Sequence, residues 1–191
     1  DSVASRGLGD VYKRQIGDSC TDIYVYGKVD RLCPDAPVPV FIPQKQTETG
    51  GMAANVYENI KSIGFEADLL TNKVLVTKTR YVEERTNHMV IRVDSQKGNL
   101  PRISNIENVK LSDYDCVIVS DYNKGFLSYD DIDYLCDNHP YVFIDTKKII
   151  NNRFKNAFCI KINEIEYANN LSAGYDLDYY NSRLIVTLGH K

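Results

Sequence analysis

No stretch of this chain approaches the ~20 consecutive apolar residues that cross a bilayer as a helix, and no signal-peptide pattern opens it. Paired cysteines are missing too. Cys20, Cys33, Cys116, Cys136 and Cys159 are odd in number and scattered, with no CxxC. That speaks against a disulfide framework and for reduced thiols in a cytoplasmic protein. His88, His139 and His190 stand apart, so a His/Cys metal site is not expected. There is no excess of positive charge: a net charge of −3, with acids and bases intermixed, advertises no nucleic-acid surface. Repeats and low-complexity linkers are also absent. What remains is 191 residues, 43% hydrophobic and 26% charged, the make-up of a globular chain with about one domain.

Strand and helix signals alternate from Ile16 onward. "DIYVYGKV" (22–29) and "APVPVFIPQ" (36–44) are β-rich but broken by prolines, which suits a small exposed sheet better than central strands. In "MAANVYENIKSIG", Ala53, Val56, Ile60 and Ile63 recur at helical spacing, and Gly64 is a good stop. "ADLL" reads as a short strand, and "VLVTKTRYVE" and "MVIRVD" as a second β-rich pair around the turn "RTNH". "CVIVS" (116–120) is a continuous apolar run of the kind buried on both faces in parallel sheets. A helix capped by Ser128 follows it, with Asp130 and Asp131 in its first turn. Strands "YVFID" and "FCIKI", helix "NEIEYANN" and strand "RLIVT" complete an α/β three-layer pattern. Ligands in such folds sit at the carboxyl ends of the strands, where Asp18, Asp121, Asp145, Asn163 and Thr187 fall.

The opening residues do not fit this pattern. Ile16-Gly17-Asp18 looks like the end of a buried strand, yet Tyr12, Lys13, Arg14 and Gln15 stand where apolar residues should be. Residues 5–15, "SRGLGDVYKRQ", match at all eleven positions the in-frame translation of a transposon-based sequencing adapter. Residues 1–15 therefore read as an adapter-like artefact, with the kinship to other proteins starting at Ile16. The segment can still extend the first strand, because backbone pairing ignores side-chain identity. Lys13 or Arg14 would then turn towards a buried face.

"TGGMAAN" (49–55) puts two glycines before a helix, where backbone N–H groups can approach an oxygen-rich ligand. It fits neither the Walker A nor the GxGxxG spacing. Together with "GDSCTDIYVYGKVDRLCPDAPVPV", however, the stretch resembles the N-terminal segment of the ribokinase-like (PfkB) sugar kinases. It is most similar to the branch that phosphorylates D-glycero-D-manno-heptose 7-phosphate, with Cys33 and Asp35 replacing a Ser and a Glu. "TKTRYV…IRVD", "SDYNKGFLS", "IDTKK", "NEIE" and "LIVTLG" resemble later motifs of that family, in order.

The resemblance implies a ribokinase-like fold with a small β-sheet lid at about residues 23–44, incomplete at its C-terminal end. Residues 16–191 would form the partial kinase domain. It implies that Asp22, Gly50, Gly51 and Asn55 hold sugar hydroxyls. Lys78, Arg80 and Arg92 would put cations beside a phosphorylated sugar, with Asp121 and Lys124 in the substrate loop. Asp145, Lys147, Asn163, Glu166, Thr187 and Gly189 would lie on the ATP side, with Glu166 reaching Mg²⁺ through water. The family's general-base Asp belongs to a G-A-G-D motif, which is expected beyond Lys191. The chain alone is then expected to be inactive.

The expected activity is transfer of the γ-phosphoryl group of ATP to a heptose phosphate or a similar sugar phosphate. A homodimer through the lid is possible, and neither nucleic acid nor membrane is an expected partner. Two other readings stay open: a non-catalytic sugar-binding module, and a kinase for another sugar or a nucleoside. One departure from the family bears on the choice: "LLTN" runs directly into "KVLVTKTRYV", where typical members insert a helix and further strands.

Overall fold

A computed structural model describes residues 11–95 and 98–189. Among the described residues ten strands form two separate sheets. The larger contains β1 (Tyr12–Gly17), β4 (Glu66–Thr71), β7 (Cys116–Asp121), β8 (Val142–Thr146), β9 (Cys159–Asn163) and β10 (Leu184–Thr187) in the order β10-β9-β8-β7-β1-β4. Every neighbouring pair in it is parallel. The smaller contains β2 (Ser19–Leu32), β3 (Pro39–Met52), β5 (Thr77–Glu83) and β6 (His88–Asp94) in the order β3-β2-β5-β6.

The core follows from the apolar strands. Val117, Val119, Ile144, Ile160 and Ile162 are buried together with Ile16 and with Ile132 and Leu135 of α2 (Tyr129–Asn138). Ser128 caps α2 as its sequence suggests, in a reciprocal box with Asp131: the Asp131 N–H donates to Ser128 Oγ, and the Ser128 N–H donates to Asp131 Oδ2. Helix α1 (Ala53–Ser62) ends at Ile63, and Gly64 takes the positive φ of 89° expected of a C′ glycine. Helix α3 (Glu164–Ser172) connects β9 to β10.

The proline-broken strands do form a small sheet apart from the central one, but its extents differ from the expectation. Strand β3 starts at Pro39, because residues 34–38 bend, and it runs to Met52 through both glycines. Strand β2 begins at Ser19, since its ladder with β3 starts at Ser19↔Met52, and it is interrupted by register shifts at Tyr26/Gly27 and Val29/Leu32. Strands β5 and β6 join the same sheet, so the lid has four strands. Residues 74–76 lie outside β5, and no helix or strand stands between β4 and β5.

Of the adapter-like segment, residues 1–10 lie outside the described residues. Residues 12–15 extend β1, and residues 13–15 pair on both sides, Lys13 with Ala67 and Cys116 and Gln15 with Leu69 and Ile118. The expected extension of the first strand is thus present in the sheet.

The direction of travel reverses at β1. From β1 the chain steps through α1 to β4 on one side, and from β7 through α2 and α3 to β10 on the other. Such a reversal of strand order opens a crevice at the carboxyl ends of β1 and β7.

Candidate active site between the two sheets

A cavity of about 230 Å³ opens at this crevice. From the lid sheet it receives Lys78 (β5) and Arg92 and Asp94 (β6). From the body it receives Ser19, Tyr122, Lys124 and Lys147. Four cations thus face one carboxylate. Asp94 is already taken: Arg92 Nε and Nη2 donate to its two oxygens at 2.7 and 2.8 Å. That contact holds the Asp94 carboxyl below the usual carboxylate range. Among the described residues Lys78, Lys124 and Lys147 form no ion pair with a carboxylate. A cavity lined in this way favours an anion.

The lid cations share one face of their sheet because the register puts them there. Lys78 is opposite Asp22 on β2 and Asp94 on β6, and Arg80 is opposite Arg92. Arg80 donates to Asp22 at 2.5 Å, so these two neutralise each other beside the cavity and do not line it. Gly51 sits against them. A Cβ there would come within 2.3 Å of Asp22 Oδ2 and 2.5 Å of Cys20 Sγ, so only glycine permits this approach. Burial raises the Cys20 thiol pKa, opposed by the nearby Lys78 ammonium.

The body side depends on three buried charges. Asp121 accepts from Lys148 Nζ with both oxygens at 2.9 Å and from Thr146 Oγ1 at 2.7 Å. Its carboxylate is therefore committed to the interior and is not offered to the cavity, in contrast to the substrate-loop role expected of it. Lys147 and Lys148 divide accordingly, the first lining the cavity and the second buried. Asp18 has 1% exposure, and burial, with Asp121 adding to it, raises its carboxyl pKa. Tyr122 lies between the sheets, its ring centroid 5.8 Å from Lys78 Nζ and 4.8 Å from Lys147 Nζ.

The remaining sequence-derived residues spread along the same edge of the sheet. Asn163 pairs in register with Thr187, and Gly189 follows with φ 67°. Asn163 and Glu166 form a capping box for α3: the Asn163 N–H donates to Glu166 Oε2 at 2.7 Å, and the Glu166 N–H to Asn163 Oδ1 at 2.8 Å. Asp145 accepts from Lys161 Nζ at 3.0 Å. No group of three or more His, Cys, Asp or Glu that could hold a metal forms among the described residues. The donor set fits Mg²⁺ only through water and a bridging ligand, because Glu166 and Asp145 each have an oxygen committed elsewhere. Gly50 is close to Ala54, whereas Asn55 is on the exposed side of α1 and does not line the cavity.

Sequence reasoning assigned no role to Ser19, Asp94, Tyr122 or Lys148. Asp94 was within reach, since it ends the "IRVD" strand two residues from Arg92 and on the same face. The inward turn of Lys148 carries no sequence signal.

The fold is that of the ribokinase-like (PfkB) carbohydrate kinases. Phosphofructokinase-2 from Escherichia coli, solved in complex with fructose-6-phosphate, superposes with a TM-score of 0.62 at 9% identity, over 95% of this chain and 75% of that one. The nucleoside kinase of Methanocaldococcus jannaschii, an archaeal member of the ribokinase family, gives 0.59 at 14% identity over 97% and 73%. In sequence, the chain is a homologue of the proteins named "Bifunctional protein HldE". It is 31% identical to that of Helicobacter pylori (strain P12) over 192 aligned positions, which are 80% of this chain and 42% of the relative. The chain therefore spans about two-fifths of the length of that relative. No protein-family model matches it. The resemblance read from the motifs is borne out, in the fold by the sugar and nucleoside kinase structures and in sequence by the similarity to the HldE proteins.

Proposed function

We propose that this chain carries the sugar-phosphate-binding part of an ATP-dependent carbohydrate kinase acting on a heptose phosphate or a similar sugar phosphate. The observation behind this reading is the cavity at the switch point, where Lys78, Arg92, Lys124 and Lys147 converge from two sheets. Transfer of a phosphoryl group is largely positioning and charge neutralisation, and this cavity suits both. Asp22, Gly50 and Gly51, beside the cavity, would orient sugar hydroxyls, with Arg80 holding the Asp22 carboxylate in place. Asn55 would join them only after a rearrangement. ATP would take the edge marked by Asp145, Asn163, Thr187 and Gly189, with Glu166 reaching Mg²⁺ through water.

None of the 191 residues spells G-A-G-D, so these residues alone should bind substrate without turning over ATP. A homodimer through the lid is supported by its outer face, where Ile91 and Val93 are about half exposed. A cytoplasmic location is supported by five free cysteines. The segment 11–15 is foreign to this fold in our reading, because Lys13, Arg14 and Gln15 each carry a buried polar atom without a partner.

Titration calorimetry with D-glycero-D-manno-heptose 7-phosphate, beside a coupled ATP assay, tests the proposal. The expected result is saturable binding that Lys78→Ala weakens about tenfold, with no ADP formed. Equal binding by Lys78→Ala would remove the lid cations from the site. ADP production would overturn the claim of inactivity.

A further inference from the structure

Asp18 is a buried carboxylate at the centre of the crevice to which the reading above gives no task. Its backbone already links three elements. Its N–H donates to Ser120 O of β7 at 3.2 Å, and its carbonyl accepts from Ala53 N, the first residue of α1, at 2.9 Å. Gly17, just before it, makes this possible: a Cβ there would fall 2.0 Å from Ser120 O. The side chain then reaches the turn after β7. Oδ2 accepts from Tyr122 N at 2.7 Å and from Lys124 N in a longer contact of 3.5 Å. Between them, Asn123 N donates to Asp121 Oδ1 at 3.1 Å. Three successive amides of the turn thus end on two buried carboxylates, one of them fixed by Lys148.

This turn has an unusual backbone. Asn123 has φ 55° and Gly125 has φ 97°, so it would not hold its shape from local preference alone. The Lys124 carbonyl accepts from Leu100 N, and Leu100 also lines the cavity. Two of the three amides that end on carboxylates belong to cavity residues, Tyr122 and Lys124. The other oxygen of Asp18, Oδ1, is buried and has no partner among the described residues. The carboxylate is therefore held in the interior mainly by the turn it organises.

We propose that Asp18 is a positioning residue, setting the 122–124 turn so that the Lys124 ammonium and the Tyr122 ring face the anion cavity. The inference rests on the anion-site reading of that cavity. Asp18 acts on the ligand only through Lys124 and Tyr122. Removing it should therefore matter only as long as Lys124 is there to be placed.

A double-mutant cycle on inorganic phosphate binding by the full 191-residue chain reads this coupling. Asp18→Ala should weaken binding about tenfold in the parent and less than about twofold in a Lys124→Ala background. An equal loss in both backgrounds, as from general loosening, overturns the proposal. Should Asp18→Ala not fold, Asp18→Asn takes its place in the cycle. It keeps a carbonyl acceptor but not the charge, so about threefold weaker binding is expected, with the same dependence on Lys124. Unchanged affinity in the variants that fold also overturns it. If the parent binds no phosphate, the anion-site reading falls and takes this inference with it. If the parent binds phosphate but no heptose phosphate, only the sugar assignment fails, and the cycle still decides the role of Asp18.

Discussion

Strands β1 and β7 are neighbours in the same parallel sheet, and both bury charge, but only one of them matches it. At the end of β7, Asp121 meets Lys148 and Thr146 with every short contact satisfied. Along β1, Lys13 Nζ, Arg14 Nε and Gln15 Oε1 are buried without hydrogen-bond partners, although Arg14 reaches Tyr114 and Asp68 with its outer nitrogen. Lys13 Nζ has only the face of Phe65, 3.2 Å from the ring centroid. The backbone of β1 pairs as well as that of β7. Sheet membership is thus set by the ladder and by Ile16, and it tolerates side chains that the interior does not suit. The buried charge at the end of β7 is matched beside the cavity, whereas along residues 13–15 three buried polar atoms go without a hydrogen-bond partner.

The largest effect should come from breaking the matched pair. Lys148→Met leaves Asp121 buried and uncompensated, and should cost about 3–5 kcal/mol in urea unfolding. The double variant with Asp121→Asn should recover most of that loss. If the single and double variants unfold at the same urea concentration, the pair is not what holds this edge. Next comes the unmatched strand. Replacing Lys13, Arg14 and Gln15 together by Val, Ile and Val should stabilise the chain by about 1–4 kcal/mol, because orphaned polar atoms give way to apolar contact. An unchanged unfolding midpoint would mean that β1 tolerates its charges at no cost.

A smaller effect separates the lid from both strands. Glu83 closes the β5–β6 hairpin by accepting from Thr86 N at 2.8 Å, Thr86 Oγ1 at 2.7 Å and Arg85 Nε at 3.2 Å. These bonds, the Thr86 hydroxyl first, lower its pKa from 4.5 to about 2. A depressed carboxyl pKa adds stability above the unfolded value and loses it as pH falls through the folded one. The hairpin should therefore loosen between about pH 4.5 and pH 2, seen as faster amide exchange at residues 84–88. In Glu83→Gln that acid limb should disappear. If it persists, another carboxyl closes the hairpin.

How much of this was legible in the sequence varies with the kind of signal. The apolar runs of β7, β8 and β9 and the cap at Ser128 were readable because periodicity and capping are local. The start of β1 was readable only from the indifference of backbone pairing to side-chain identity, since Tyr12–Gln15 carry no strand pattern of their own. Gly50 and Gly51 read as a loop before a helix, but their ladder with Thr21 and Cys20 makes them the end of a long strand. Lys147 and Lys148 look equivalent in "DTKK", and only the third dimension sends one to the cavity and the other to Asp121. The lid cations were legible as a group because strand alternation puts Lys78 and Arg80 on one face. Which of them stays unpaired depended on Asp22 and Asp94, which come from two other strands.

The central claim is that an anionic sugar binds between the lid sheet and the body. The direct measurement is a titration of the ¹⁵N-lysine-labelled chain with D-glycero-D-manno-heptose 7-phosphate, followed by amide chemical shifts. The amides of Lys78, Lys124 and Lys147 should shift together and saturate at one concentration, while Lys28, Lys45 and Lys155 stay in place. Shifts confined to those three outlying lysines, or no saturable shift at the cavity, would contradict it.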